Sequence, residues 1–205
     1  MYRILFALML LFGVPSVTTA GEFQEANDAY DRQDYATAIE KYTRAAEAGH
    51  AEAQYRLATI YQNEKEGEGV AHDNALAVRW YRKAAVGGHI EAQNRLGLMY
   101  ANGRGIPQDD EEAVRWYRKA AAAGHALTQY YLALRYQNGK GVPQDHVQAH
   151  RWFSLAVAHA TSEKTKKRAA KRRDAVAQTM SPQEIADAEQ LAREWKPTTR
   201  TTPDR

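Results

Sequence analysis

The sequence predicts an all-α protein, an α-solenoid of antiparallel helix pairs closed by a C-terminal helical cap. Residues 77–85, with the sequence AVRWYRKAA, recur unchanged at 113–121, and a period of this size marks a repeat array. In each copy Ala, Trp, Tyr and Ala fall at i, i+3, i+4 and i+7, which puts them on one apolar helix face. A single helix cannot bury that face alone, so the copies must stack on one another.

The first twenty residues have the layout of a secretory signal peptide. Arg3 precedes the apolar run 4–14, and small residues stand before a cut between Ala20 and Gly21. The run is shorter than the roughly 20 apolar residues that a membrane-spanning helix needs. We therefore expect an exported protein, periplasmic or secreted, with an uncleaved anchor as the alternative.

Four helix pairs follow, and we place them at residues 22–48, 50–87, 89–123 and 125–160. A Gly-His turn closes each of the first three pairs, because glycine adopts the left-handed conformation at a helix end at low cost. The histidines of these turns are His50, His89 and His125. We interpret each histidine as a turn residue that caps the helix it follows.

The array ends in a different kind of segment. Residues 161–197 predict two polar-faced helices that cover the last repeat, as a solenoid end requires. Ser181, Pro182 and Glu184 have the spacing of an N-cap, a first helical residue and the third residue of a capping box. Residues 198–205 are expected to form a disordered tail.

Residues 50–160 resemble Sel1-like repeats, and residues 22–48 resemble a tetratricopeptide repeat more loosely. The resemblance rests on a first helix that ends in Leu-x-x-x-Tyr, a Gly-x-Gly-(Ile/Val)-Pro-x-Asp loop, an Ala-x-x-Trp-(Tyr/Phe) helix and the Gly-His turn. It implies an adaptor that binds a protein or peptide partner. By the same resemblance, first-helix positions just off the core line a concave face: Tyr55, Thr59, Gln62, Asn94, Leu98, Ala101, Tyr130, Leu134 and Gln137.

The aromatic and histidine motifs have structural interpretations. Trp80, Trp116 and Trp152 lie on the buried face, so we interpret them as wedges between helices rather than as a stacking platform for sugars or bases. His146 and His150 stand four apart and are half of a zinc site, but no third ligand is near in sequence. We expect core packing of His150 and no metal site.

The residue inventory argues against catalysis. The chain has no cysteine, and none of its four serines is followed three residues later by lysine. Gly-x-Ser-x-Gly and His-Glu-x-x-His motifs are missing as well. We predict that the protein is not an enzyme and has no cofactor or small-molecule substrate. A β-lactamase-like hydrolase is the weakest alternative.

Charge points to one candidate surface. The formal net charge of +3 gives no reason to propose nucleic acid as a partner. A basic cluster nevertheless stands in the cap region: Lys164, Lys166, Lys167, Arg168, Lys171, Arg172 and Arg173. It is either a solvated helix face or a site for an anionic envelope surface or an acidic partner.

The leading hypothesis is an exported, monomeric protein-binding scaffold that uses the concave face. The alternative is an envelope-associated regulator that docks through the basic helix to a membrane or a cell-wall polymer.

Overall fold

The computed structural model describes residues 19–63 and 71–198, and these residues contain ten helices and no strand. The helices are α1 (Thr19–Asp31), α2 (Tyr35–Glu47), α3 (Ala51–Gln62), α4 (Asn74–Val86), α5 (Ile90–Asn102), α6 (Asp110–Ala122), α7 (Ala126–Asn138), α8 (His146–His159), α9 (Glu163–Ala177) and α10 (Pro182–Arg193). Most of the signal-peptide prediction, at 1–18, and most of the tail, at 199–205, lie outside the described residues.

The first eight helices form four stacked pairs. Helices α1 and α2, α3 and α4, α5 and α6, and α7 and α8 pack within pairs, and each pair contacts the next along the chain. Helices α9 and α10 both pack on α8. The predicted all-α repeat solenoid is confirmed. None of the described helices is both long and apolar enough to cross a membrane.

The buried residues of the core recur at the same positions in successive repeats. Trp80, Trp116 and Trp152 are 9%, 8% and 8% exposed, so the prediction that they are buried wedges is confirmed. Lys83 and Lys119 place their Nζ atoms 4.3 and 4.4 Å from the ring centroids of Trp80 and Trp116. These cation–π contacts cover the outer side of each indole, so the repeat positions both the aromatic wedge and its polar cover.

The Gly-His turns end one helix and begin the next. Gly49 has φ +93°, and its N–H and that of His50 bond to carbonyls in the last turn of α2, as predicted for the glycine. The side chains of His50 and His89 correct our interpretation, because they cap the following helices, whereas that of His125 makes no such cap bond. Nδ1 of His50 accepts from the N–H of Ala53 at 3.2 Å, and Nδ1 of His89 accepts from that of Ala92 at 3.2 Å.

Two helix starts show how far capping can be predicted. Ser181 and Glu184 form the complete capping box that was predicted for α10. At the start of α6, Asp109 accepts from the N–H of Glu112 at 2.9 Å. The carboxylate of Glu112 bonds to Arg115 at 2.6 Å, so Asp109 caps α6 without the reciprocal bond of a capping box.

Buried glutamines join each pair to the next. The side-chain amides of Gln54, Gln93 and Gln129 donate to backbone carbonyls at the ends of α2, α4 and α6, at 2.9, 3.1 and 3.1 Å. Each of these carbonyls also accepts the N–H of the turn glycine, so the glutamine supplies its second hydrogen bond. These contacts were not predicted, although the glutamine follows every Gly-His turn at the same distance.

The segment after α10 returns to the array. The Trp195 ring lies 4.8 Å from the ring of His159, and the N–H of Thr198 donates to the carbonyl of Ala122 at 2.8 Å. The chain therefore crosses from α10 to the end of α6. This contact attaches the cap to the last two repeats.

Candidate functional site

Three of the predicted surface residues meet in one groove. Leu98 and Ala101 of α5 and Leu134 of α7 line a groove of about 250 Å³ between these helices. Six further lining residues were missed by the sequence analysis: Asn102, Tyr117, Tyr131, Arg135, Asn138 and Lys140. The groove is therefore built mainly from two first helices, with a buried tyrosine of α6 at its floor.

The other predicted residues lie elsewhere. Thr59 borders a separate cavity of about 40 Å³ with Tyr30, Tyr42, Arg56 and Ile60. Gln62 accepts from the hydroxyl of Tyr81 at 2.8 Å, which places it between α3 and α4. The nine positions therefore do not form one continuous lining.

Tyr55, Asn94 and Tyr130 occupy the same position in three successive repeats, and their side chains are partly or fully buried. Tyr55 is half-buried and stacks on His89, with ring centroids 4.6 Å apart. Asn94 is 2% and Tyr130 is 4% exposed, and Tyr130 packs on Phe153. Asn94 and Tyr130 thus support the surface from beneath.

The register of the repeats explains why the groove is apolar only between α5 and α7. Leu57, Leu96 and Leu132 are equivalent positions in α3, α5 and α7. The residue two places after them is Thr59 in α3 but Leu98 in α5 and Leu134 in α7. The residue just before the equivalent leucine is Arg95 in α5 and Tyr131 in α7. The equivalent positions in α3 and α5 are therefore polar, at Thr59 and Arg95. The change from arginine to tyrosine at 131 was the available sequence signal.

The groove lining is positively charged. Arg135 and Lys140 line it, and the lining includes no carboxylate. Arg135 donates to Asp110 at 2.6 Å, whereas exposed Lys140 has no acidic partner within the described chain. Burial raises the pKa of Tyr117 to about 12, although Arg135 acts in the opposite direction, so its phenol stays neutral.

Two asparagines mark one end of the groove. The side-chain amide of Asn102 donates to the carbonyl of Leu98 at 2.8 Å, and that of Asn138 donates to the carbonyl of Leu134 at 2.9 Å. Both asparagines are exposed and have the same position in successive repeats. Their bonds fix the amide groups, while each side-chain oxygen can still accept a bond from a partner.

The recurring histidines form links between repeats. Nε2 of His89 lies 2.8 Å from a carboxylate oxygen of Glu52, and Nε2 of His125 lies 2.8 Å from one of Glu91. The hydrogen bond from His125 lowers the pKa of Glu91 despite partial burial. No group of three potential metal ligands occurs in the described parts of the chain.

The two histidines of α8 have different neighbours. His150 is 4% exposed, so the predicted core packing is confirmed, and its Nδ1 has no hydrogen-bond partner. Burial lowers the pKa of His150, and the positive charge of Arg173 contributes. His146 instead lies 3.1 Å from the hydroxyl of Thr179 through its Nδ1.

The predicted basic cluster lies on α9, and we call it the basic face. Its members are exposed except Arg173, which is half-buried and bonds to Asp174 at 2.8 Å. The guanidinium carbon of Arg168 lies 5.0 Å from the ring centroid of Tyr130. The remaining five members have no acidic partner among the residues that the structure describes.

The groove offers apolar contact, amide groups and positive charge. Its lining includes no serine, histidine or carboxylate that could act as a nucleophile or a general base. The arrangement therefore supports binding.

Stacked helix pairs with a groove between first helices define the class, an α-solenoid repeat protein. The description "Sel1 repeat" matches residues 29–50, 51–89, 90–125 and 126–159, more than half of the chain, which therefore belongs to the Sel1 repeat family. Sel1 repeats form a scaffold that commonly binds proteins and is generally not enzymatic.

Two solved structures share the fold. The structure of c5321, described as a protective antigen in uropathogenic Escherichia coli strains displaying an SLR fold, has 26% identity and a TM-score of 0.58. The similarity covers 87% of this chain but only 45% of c5321, so the chain spans less than half of that protein. A Sel1 repeat protein from Oxalobacter formigenes has 38% identity and a TM-score of 0.56, covering 65% of this chain and 97% of that one. No curated protein matches the sequence.

Proposed function

We propose that the protein is an exported scaffold that binds a protein partner in the groove between α5 and α7. The observation that carries this proposal is the apolar groove formed by Leu98, Tyr131 and Leu134 between α5 and α7. A repeat surface of this kind suits a peptide segment or a partner helix.

The volume and charge of the groove define the partner segment. About 250 Å³ is below the usual range of small-molecule pockets, about 300–1,000 Å³, and is suited to one or two side chains. Arg135 and Lys140 favour a carboxylate beside the anchoring residue, because they are the only charged members of the lining. The partner segment thus has a large apolar residue next to aspartate or glutamate.

Crosslinking in the native cell envelope tests this proposal. A photoreactive amino acid at Asn138, on the groove, should give a discrete adduct, while the same group at Arg115, on exposed α6, should not. Leu134→Asp should abolish the adduct, because a carboxylate would be desolvated against the apolar groove. Val86→Asp is the matched control, since Val86 is apolar and 73% exposed on α4.

Two results would contradict binding in the groove. One is an adduct that forms at Arg115 as strongly as at Asn138, and the other is an adduct that survives Leu134→Asp. Lys140→Glu tests the charge separately, because it should weaken the binding of an acidic partner segment without changing the apolar contact.

Export is part of the proposal and has its own test. The layout of residues 1–20 supports cleavage after Ala20, which would remove the first two residues of α1. Intact-mass measurement of the protein from the native cell should show a chain that begins at Gly21. A full-length chain in the cytoplasm would contradict export without bearing on the groove.

A further inference from the structure

Helix α9 has a charge pattern that the groove does not use. It carries the seven cations of the basic face and only two acidic residues, Glu163 and Asp174. Ala169 and Val176 are its buried residues, and through them α9 packs against the end of the array. The opposite side of the helix is free of neighbouring helices in the described chain.

Helical geometry places three lysines on that free side. At about 100° per residue, Lys164, Lys167 and Lys171 project away from the line through Ala169 and Val176. All three are exposed, and the row is about 10 Å long at 1.5 Å per residue. By the same geometry, Arg168 lies at one edge of this row and the two acidic residues, Glu163 and Asp174, lie at the other edge. Asp174 is paired with Arg173, so the row as a whole remains net positive.

The composition of the free side indicates the kind of partner. It has no aromatic or large apolar residue. A peptide partner needs pockets for its side chains, whereas a flat anionic surface needs only accessible charge. Lysine is also a flexible point charge, which suits a diffuse array of phosphates better than a defined bidentate contact.

From these observations we propose that the basic face of α9 docks the protein on anionic phospholipid headgroups. The interaction is electrostatic and peripheral, because nothing on the free side of α9 can enter the hydrocarbon region. It is independent of the groove, which lies between α5 and α7. A bound partner would thereby be held near a membrane surface.

Vesicle sedimentation with the purified full chain tests the proposal. The probe is a vesicle of phosphatidylglycerol and phosphatidylcholine, compared with phosphatidylcholine alone. Binding to the anionic vesicle should be strong at about 0.01 M salt, where the Debye length is about 30 Å, and lost at about 1 M, where it is about 3 Å. Binding that persists at high salt would indicate apolar insertion and overturn the proposal.

Charge reversal locates the site. The triple variant Lys164→Glu, Lys167→Glu, Lys171→Glu should bind anionic vesicles at least about 100-fold more weakly, since each lysine near such a surface contributes roughly five-fold. The matched control is Arg32→Glu, Arg79→Glu, Arg104→Glu, which makes the same net charge change at exposed positions outside α9. Equal loss in both variants would show that net charge alone is responsible.

Two further measurements complete the test. Circular dichroism should show unchanged helicity in both triple variants, because all six positions are exposed. Soluble polyglutamate serves as a competitor. If it binds the basic face more tightly than vesicles at equal anionic charge, an acidic protein is the partner and the lipid proposal is wrong. Leu134→Asp should leave vesicle binding unchanged, which separates this site from the groove.

Discussion

Phe153 occupies in α8 the position that Tyr81 holds in α4 and Tyr117 holds in α6, and it lacks their hydroxyl group. In the earlier repeat, the hydroxyl of Tyr81 donates to Gln62 at 2.8 Å. Gln137 is the equivalent of Gln62 in α7, and its buried Oε1 has no hydrogen-bond partner. One missing oxygen thus leaves one buried acceptor unsatisfied.

Phe153→Tyr should therefore stabilise the protein by about 1 kcal/mol, because it supplies a donor to a buried acceptor. Chemical denaturation of the variant and the parent measures the difference. In a Gln137→Leu background the same substitution should give no gain, since the acceptor is gone. A gain of equal size in both backgrounds would contradict the proposed bond.

Gly97 is a second position where one side chain decides the packing. A Cβ atom there would lie 2.5 and 2.7 Å from ring carbons of Tyr117, which is 1% exposed. Gly97→Ala should destabilise the protein by about 1–3 kcal/mol through overpacking.

Gly87→Ala is the control, because a Cβ there has no neighbour closer than 3.4 Å. It should be neutral or slightly stabilising. Thermal melts of the two variants compare them directly. Equal melting temperatures would show that the Tyr117 ring can move to accommodate the added methyl group.

At the scale of elements, two of the histidines that begin first helices also bond to the first helix of the preceding pair. His125 joins the start of α7 to Glu91 of α5, and His89 joins α5 to Glu52 of α3. For Glu52, burial acts to raise the pKa, but His89 and Arg56 outweigh it and the pKa is lowered. These links therefore make the stacking of first helices sensitive to acid.

The sign of the effect follows from the lowered carboxyl pKa. A carboxyl group with a depressed pKa in the folded state stabilises that state above its usual pKa, here 4.5, and this contribution is lost as pH falls through the folded-state pKa. Glu91→Gln keeps an acceptor for His125 but removes the titration. The fall in melting temperature between about pH 5 and pH 3 should be smaller in this variant.

Glu111→Gln is the matched control, since Glu111 is an exposed carboxyl on α6 with no bonded partner in the described chain. It should show the acid dependence of the parent. If Glu91→Gln and Glu111→Gln shift equally, the link to His125 does not contribute.

At the scale of the whole molecule, each pair contacts mainly its neighbours, so a change at one end should stay local. The cap is attached where Trp195 meets His159 and where Thr198 bonds to Ala122. Trp195→Ala should lower stability by up to about 3 kcal/mol through the lost ring contact.

Hydrogen exchange is the measurement that locates this effect. Exchange should rise in α8, α9 and α10 and remain unchanged in α2 and α3, because the cap helices pack mainly on the last pair. A uniform rise along the chain would show that the array unfolds as one cooperative unit.

The local features of the fold were predictable from sequence for a definite reason. Helix periodicity, the glycines at positive φ and the capping box at Ser181 depend on residues close together in the chain. The burial of Trp116 was predictable too, because a repeated apolar face must pack against its own copies.

The groove was only partly predictable, because its lining depends on residues far apart in sequence. Leu98 and Leu134 were found from their register, whereas Tyr131 and Lys140 were missed. The burial of Asn94 and the contact between His125 Nε2 and Glu91 were not predictable in this way, because they depend on how neighbouring helices pack.

The sequence by itself thus determined that the chain is a helical repeat array with buried tryptophans and a basic final segment. Only the tertiary structure decided where a partner can be held, between α5 and α7, and which charges are left unpaired on α9. The physical reason is that secondary structure and burial pattern follow from local periodicity. A binding surface depends instead on the volumes and charges of side chains that packing brings together from separate repeats.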